Sequence, residues 1–531
     1  MGSVTCVPPS LPSSRALLSA PVALAKSGLL RPYRPDRVMR IGAGLLRHGT
    51  GPGFGPLAGA TLCPERLAII DDDGALTFGQ LEERCEAFAA RLRLVASAGD
   101  TVALLGRNSA GFYQTMVAAT RRGMDVLYLN TGLSAGQIAE IVTRRGVRLL
   151  VHDAEFAGRA PPGLTSIPVP GHDPPSHTRI TASGRRQPRP ARSRSRHIML
   201  TSGTTGRPKS VPRTVGGAAS VISVVSGLPN RAWETSLIAA PMFHAWGFLN
   251  TVLTMLFGST IVLTRGFDPQ RTLGLVERER CNVLVAVPTM LRRIMDLPPD
   301  IRRRHDTSSL RAVTVSGSAL APALSDGFMN EFGDVVYNLY GSTEAGYAAV
   351  AKPADLRAAP GTAGRPLPLV DVRILNADGS PCPPGVRGMI WVSSRDSIAI
   401  AEDDKSSHGA VRTGDIGWLD EAGRLFVAGR ADDMIITAGE NVYPTEVETV
   451  LEQHPGVLEA AVIAIPDELY GQILSAHLVL RDRGAVTPDA LRSWCRERLA
   501  AFQIPKRFTI HDKLPHNAAG KVRKRDLKDS S

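Results

Sequence analysis

His197-Ile-Met-Leu-Thr-Ser-Gly-Thr-Thr-Gly-Arg-Pro-Lys-Ser-Val211 is the stretch from which the rest of this chain can be read. His197 to Leu200 is a short apolar run of the kind that ends a strand. Four hydroxyls follow (Thr201, Ser202, Thr204, Thr205), with two glycines (Gly203, Gly206) and Lys209 among them. Glycine lets a backbone turn tightly and bring its N–H groups against an anion. Hydroxyls add donors and the lysine adds a compact positive charge. The stretch reads as a phosphate cradle. It is not a Walker loop, because Pro208 precedes Lys209 where that motif requires glycine.

Outward from the loop, short apolar runs alternate with helical stretches. Ala68–Ile70, Val102–Leu105, Val126–Leu129 and Leu149–Val151 read as strands on one side, and Ser236–Ala240, Ser259–Leu263, Val283–Val287 and Ala312–Val315 on the other. Between them lie helical segments, among them one opening at Thr77 with Leu81, Phe88 and Leu92 on a single stripe. This rhythm predicts an α/β fold, a large N-terminal domain of layered, mostly parallel sheets. In such sheets ligand groups gather beyond the carboxyl ends of the strands. From Val370 the strands become shorter and punctuated by Gly and Pro, predicting a small β-rich subdomain. Past Gly429 a new α/β unit begins, with a helix at Pro444–Gln453. The expected division is an N-terminal extension over 1–50, partly ordered, a large domain over 51–429 and a small mobile cap over 430–531.

Composition narrows the class. At 531 residues more than one core is expected, and 43% hydrophobic with 21% charged residues is ordinary for a globular protein. The six cysteines are scattered, which argues against a disulfide framework or a zinc site and fits a reducing cytoplasm. The net charge of +12 owes six arginines to the tract Arg185–Arg196, a Pro/Ser/Arg segment that reads as a solvated linker, so nucleic acid is not an expected partner. No apolar window approaches the ~20 residues of a membrane span. Ala16–Ala25 is interrupted by Pro21 and makes a poor secretion signal, and Cys6 stands where N-myristoylation needs Ser or Thr. The N-terminal 50 residues, with helical pieces at Val22–Leu30 and Val38–Leu46, are suited either to docking on the main domain or to peripheral contact with the inner membrane surface.

The remaining motifs carry chemistry. Pro241-Met-Phe-His-Ala-Trp-Gly-Phe248 places His244 between aromatics after a strand. Ser316-Gly317-Ser318 closes another strand with small residues. Tyr337-Asn-Leu-Tyr-Gly-Ser-Thr-Glu-Ala-Gly346 offers Tyr340, Gly341 and Ser342 beside an adenine-sized face, Thr343 as a donor and Glu344 as a hard oxygen ligand suited to Mg²⁺. Arg412-Thr-Gly-Asp415 sets a carboxylate after an expected tight turn, and Gly429-Arg-Ala-Asp-Asp433 adds Arg430 and Asp432. Near the end, Leu514-Pro-His-Asn-Ala-Ala-Gly-Lys521 singles out one lysine among many basic residues.

Together these motifs, from about Leu76 to Leu527, resemble the adenylate-forming (AMP-binding) superfamily, and in texture its fatty acyl-CoA ligases. The phosphate loop departs from the usual pattern at Ser210, where glycine is common. The resemblance implies ATP, Mg²⁺ and coenzyme A as cofactor and co-substrates. It implies that Thr201–Gly206 and Lys209 hold the departing phosphates, that Ser316–Ser318, Tyr340–Ser342, Asp415 and Arg430 hold the nucleotide, and that Thr343 and Glu344 serve the phosphates and metal. His244 would border the acyl carboxylate, and Lys521 would bridge carboxylate and α-phosphate. Asp432 would be the hinge, with Gly439 and Glu440 on the path of CoA. The expected activity is activation of a carboxylic acid, a fatty acid first, to acyl-AMP and then acyl-CoA. Loading of a separate carrier protein is the alternative acceptor, and a degenerate nucleotide-binding homologue is the reading from another class. The latter is prompted by Ser210 and by a polar segment between Trp391 and Val411, where the family is usually aromatic and glycine-rich.

Overall fold

The computed structural model describes Gly28 and residues 34–172, 195–201, 209–214, 218–342, 345–394, 410–437, 440–467, 471–482, 486–517 and 520–528. The apolar runs singled out above form the interior of two large sheets. In the first, six strands run parallel in the spatial order Val336–Ser342, Ala312–Val315, Val283–Ala286, Thr235–Ile238, Thr260–Leu263 and Leu67–Asp71. Antiparallel strands Gly346–Ala351 and Gly74–Thr77 flank this run. The central strands are buried on both faces, which is why they read as continuous Val/Ile/Leu runs and not as alternating ones.

In the second sheet Ser166–Pro168, Val147–His152, Thr101–Leu105, Asp125–Tyr128 and Arg196–Thr201 are parallel, and Lys209–Thr214 closes the edge antiparallel. One apolar cluster joins the facing sides of both sheets, with Phe78, Phe112, Tyr128 and Ile261 in it. The helix Phe78–Leu92 begins as its sequence suggests. Thr77 accepts from the N–H of Gln80, and the Gln80 side chain accepts from the N–H of Thr77.

The third sheet is antiparallel, Val370–Leu375, Gly388–Ser394, Ala410–Leu419 and Leu425–Arg430, and is the small β-rich unit. The segment beyond it carries its own buried cluster, from Ile435 to Cys495, around the helix Pro444–Glu452 and the strands Val457–Asp467, Gly471–Leu480 and Arg507–His511. The expected tight turn at Arg412–Asp415 is corrected here. These residues lie inside the ten-residue strand Ala410–Leu419, next to register shifts, with Gly414 at φ +78°. Glycine marks a bulge as readily as a turn, and here the bulge prevailed.

At the N-terminal side, the helix Pro35–His48 leans on the next helix through Gly44 and Leu57 and through the Arg37 guanidinium on the Leu62 carbonyl, 3.1 Å. Val38, Met39, Leu45 and Leu46 on it are exposed. Arg121, nearly buried, ties this region down by donating from Nε to the Gly53 carbonyl at 2.9 Å, and is itself held by ion pairs to Glu82 at 2.7 Å and Glu86 at 2.8 Å. The N-terminal piece Val22–Leu30 and most of the Arg-rich tract lie outside the described residues. Among the described residues no helix is long and apolar enough to cross a membrane.

Candidate active site

The strands Ala312–Val315 and Val336–Ser342 are parallel neighbours, so the turn after the first meets the end of the second. The Ser316 hydroxyl donates to the Leu339 carbonyl at 2.8 Å, fixing that turn on its neighbour. Gly317 takes φ +97°, a conformation that a side chain would strain. Ser318 follows it. One residue beyond Leu339, the Tyr340 hydroxyl donates to Asp415 Oδ2 at 2.6 Å, joining the large sheet to the small β unit. The Asp415 carboxylate is nearly buried, and its own N–H is held by the Thr413 hydroxyl at 3.0 Å, which in turn donates to the Ile390 carbonyl at 2.9 Å.

Burial pushes the Asp415 pKa up. The hydrogen bond from Tyr340 and the charges of Arg430 and Lys521 oppose that shift. Arg430 faces Asp415 across the strands, Nη1 to Oδ1 3.6 Å, and reaches Asp432 Oδ1 with Nε at 2.9 Å. Burial works against ionisation of Asp432 too, but the bond from Arg430 and the charges of Arg430 and Lys521 win and hold its pKa below the usual value.

Lys521 thus acts electrostatically on both carboxylates, although it belongs to the C-terminal segment. Its loop is braced internally. The Lys521 N–H donates to Asn517 Oδ1 at 2.9 Å, and the Asn517 N–H returns to the Lys521 carbonyl at 2.9 Å. Gly520, at φ +76°, leaves no space for a Cβ because Thr289 of the helix Pro288–Met295 sits against it. The side chain of Lys521 is exposed.

His244 is the N-cap of the helix Ala245–Leu256; its carbonyl accepts from the Phe248 N–H at 2.9 Å, while its side chain makes no capping bond. Gly247 makes the preceding loop possible, since a Cβ there would lie 2.6 Å from the Pro241 carbonyl carbon. Tyr347 donates to the Ala245 carbonyl at 2.9 Å, and the Trp246 indole donates to the Ala286 carbonyl at 3.0 Å. These bonds seat the start of the helix against the strands Gly346–Ala351 and Val283–Ala286, which flank those two in the sheet. Phe243 packs on the imidazole with ring centres 4.6 Å apart. His244 Nε2 is buried without a hydrogen-bond partner, and burial brings the pKa down to about 4, so the ring is neutral at physiological pH. A buried, unpartnered imidazole nitrogen beside an aromatic loop is a place for a polar ligand atom.

Other expected residues fall at or beyond the limits of what the structure describes. Thr201 and Lys209 pair directly as the last and first residues of antiparallel strands, so the phosphate loop is the connection between them. Ser202, Gly203, Thr204, Thr205 and Gly206 lie outside the described residues, as do Thr343, Glu344, Gly439 and residues 395–409 of the polar segment. Ser342 ends its strand, and Glu440, exposed, pairs with Thr437. Among the described residues no three His, Cys, Asp or Glu side chains are grouped to hold a metal ion.

Three residues with structural roles at the site escaped the sequence reading. Asn108 donates to the Ile238 and Ala240 carbonyls and accepts from the Met242 N–H at 2.8 Å, shaping the approach to His244 from the other sheet. Thr413 orients Asp415. Arg292 pairs with Glu452 across the chain, 3.0 Å apart. The only local signal was for Asn108, a polar residue just past a strand end.

Residues 58–399 match the model of the AMP-binding enzyme family, and residues 446–521 match that of the AMP-binding enzyme C-terminal domain. The chain belongs to this adenylate-forming family. Among its relatives, feruloyl-CoA synthase from an Amycolatopsis species is 32% identical over 496 residues, covering 90% of this chain and 98% of that one. Fatty acid–[acyl-carrier-protein] ligase ScoC from Streptomyces coeruleorubidus is 30% identical over 507 residues, covering 88% and 93%. The structure of o-succinylbenzoate CoA synthetase (MenE) from Bacillus subtilis with its acyl-adenylate intermediate OSB-AMP superposes with a TM-score of 0.75 at 29% identity, covering 90% and 98%. That enzyme has also been solved in complex with ATP and magnesium ion.

Proposed function

We propose that this protein is an acid–CoA ligase that works through an acyl-adenylate. The observation that carries the reading is the convergence on Asp415. Tyr340 from one sheet, Arg430 from another and Lys521 from the C-terminal segment all act on that carboxylate, and a carboxylate so placed is suited to accept from ribose hydroxyls.

In the first half-reaction a carboxylate oxygen bonds to the α-phosphorus of ATP and the bond to the β-phosphate oxygen breaks, releasing pyrophosphate. Two anions must meet, so positive charge placed where they approach is the main catalytic need. Lys521 supplies it. Asp415 receives the ribose hydroxyls, Tyr340 and the Ser316–Ser318 turn border the adenine, and neutral His244 faces the acyl carboxylate without adding a charge. Thr201 to Gly206, with Lys209 and Thr343, hold the leaving phosphates, and Gly341 and Ser342 hold the nucleotide beside Tyr340. Glu344 would hold a magnesium ion bound with the nucleotide, and that ion would offset polyphosphate charge.

In the second half-reaction the thiol of CoA adds to the acyl carbon and AMP leaves. For the thiol to enter, Lys521 withdraws as the unit 430–531 turns about Asp432, and the pantetheine arm passes Gly439 and Glu440. A fatty acid is the first substrate class, in keeping with the apolar helix Ala245–Leu256 and with the name of ScoC. Similarity to feruloyl-CoA synthase and to MenE makes an aromatic acid the second. Phe243, Trp246 and Tyr347 place aromatic surface beside His244, which suits either class. A carrier protein in place of CoA is the alternative acceptor, supported by ScoC.

One panel tests the whole reading. Short, medium and long fatty acids and hydroxycinnamic acids are assayed for acid-dependent ATP–pyrophosphate exchange, then for thioester on adding CoA. Exchange with one class and thioester on CoA are expected. Exchange without thioester would move the acceptor to a carrier protein, and no exchange with any acid would overturn the activity.

A further inference from the structure

The helix Pro444–Glu452, beyond the proposed pivot Asp432, carries a carboxylate at each end, and each is met by an arginine from before the pivot. In its first turn Glu446 Oε1 lies 2.6 Å from Arg387 Nη2, and the other oxygen accepts from Gln503 at 3.1 Å. Arg387 also lies over the rings of Trp418 and Tyr443, at 5.2 and 5.9 Å. At the last residue, Glu452 Oε2 lies 3.0 Å from Arg292 Nη2, with both side chains more than four-fifths buried. A further pair, Arg481 with Asp296 at 3.5 Å, crosses the same boundary.

Arg292 is on the helix Pro288–Met295, one turn from Thr289, which packs against Gly520 beside Lys521. A single helix of the large domain therefore touches the Lys521 loop with one residue and the Pro444–Glu452 helix with another. The two contacted parts are themselves braced. Lys524 Nζ lies 2.6 Å from Glu448 Oε1, and His516 Nε2 lies 2.5 Å from Glu459 Oε1.

We propose that Arg292 and Arg387 are positioning residues that hold the segment after Asp432 in the pose that brings Lys521 to Asp415, so that they serve the adenylating half-reaction and not the thiol step. The proposal rests on the acid–CoA ligase reading. A turn about Asp432 must break both pairs, and breaking one by removing the arginine strands a buried carboxylate. The environment of Glu452 shows how costly that is, because burial pushes its pKa up to about 7 even with Arg292 beside it.

The test uses the full chain at about pH 8, where free glutamate is ionised. Arg292→Met should lower acid-dependent ATP–pyrophosphate exchange by about ten- to hundredfold, the scale of a stranded buried charge. Thioester formation from added dodecanoyl- or feruloyl-adenylate, whichever acid the wild type activates, should stay within about twofold, the thiol step being independent of the docked pose. Arg292→Met with Glu452→Gln, which leaves no unpaired charge, should recover most of the exchange. Hydrogen exchange of peptides 288–296 and 444–453 in the resting protein should speed up in the single variant and slow again in the double one. Unchanged exchange and protection, an equal fall in both half-reactions, or no recovery in the double variant would each overturn the proposal. If the wild type itself activates no acid, the ligase reading fails separately, and hydrogen exchange still decides whether Arg292 holds the segment.

Discussion

The hydroxyl of Tyr340 and the carboxylate of Asp415 show how much a site of this kind depends on single groups. A hydrogen bond to a charged group contributes about 1.5–3 kcal/mol, and removing one partner leaves the other poorly solvated. Tyr340→Phe should therefore raise the KM for ATP by about tenfold or more in initial-rate assays. An unchanged KM would mean that Asp415 does not bear on the nucleotide. The buried histidines give a pH dependence with a definite sign. His197, bonded to Tyr128 at 2.8 Å, and His244 both have pKa values lowered by burial to about 4. The unfolded chain thus binds more protons between about pH 6.5 and pH 4, so stability is lost as pH falls through that window and is unaffected above it. Urea unfolding at pH values across the window should show a loss of up to about 3 kcal/mol per histidine. His197→Gln should flatten the slope, and a slope unchanged by that substitution would remove His197 from the account.

Among the elements, those with the clearest sequence signals were the buried strands and capped helices. Ala312–Val315 has the same limits in sequence and structure because four buried residues in a row can do little else in this architecture. Thr77 announced the helix Phe78–Leu92 because a capping box is local chemistry. Arg412–Asp415 was expected as a tight turn ending in a carboxylate, since the partner strand that makes it a bulged strand is remote in sequence. The Arg292–Glu452 pair had no signal at all. Its members are 160 residues apart, and each resembles many other charged residues on the chain. The loop at Lys521 falls between these cases. Its glycine was visible, but the reason for it, Thr289, was not. Gly520→Ala should strain the left-handed backbone and press on Thr289, lowering ATP–pyrophosphate exchange by about tenfold. Adding Thr289→Ala should restore part of that loss; no effect of Gly520→Ala would show that this contact does not place Lys521.

At the scale of the whole molecule, the proposed reaction divides its labour along the chain. In that proposed reaction the turns at the strand ends of the large sheets face the nucleotide, while the cation that makes the bound groups react, Lys521, comes from the last tenth of the sequence. In the same proposal the residues between Thr201 and Lys209, which connect two paired strands of one sheet, hold the phosphates. Lys521, in the proposed cycle, is brought in and withdrawn with the segment after Asp432, which has buried clusters of its own. The direct test is Lys521→Ala assayed in the two half-reactions separately. The account predicts that acid-dependent ATP–pyrophosphate exchange falls by about 10²–10³, the usual loss for a preorganised charge donor, while thioester formation from supplied acyl-adenylate and CoA persists. Exchange that survives the substitution, or a thioester step that falls just as far, would contradict it.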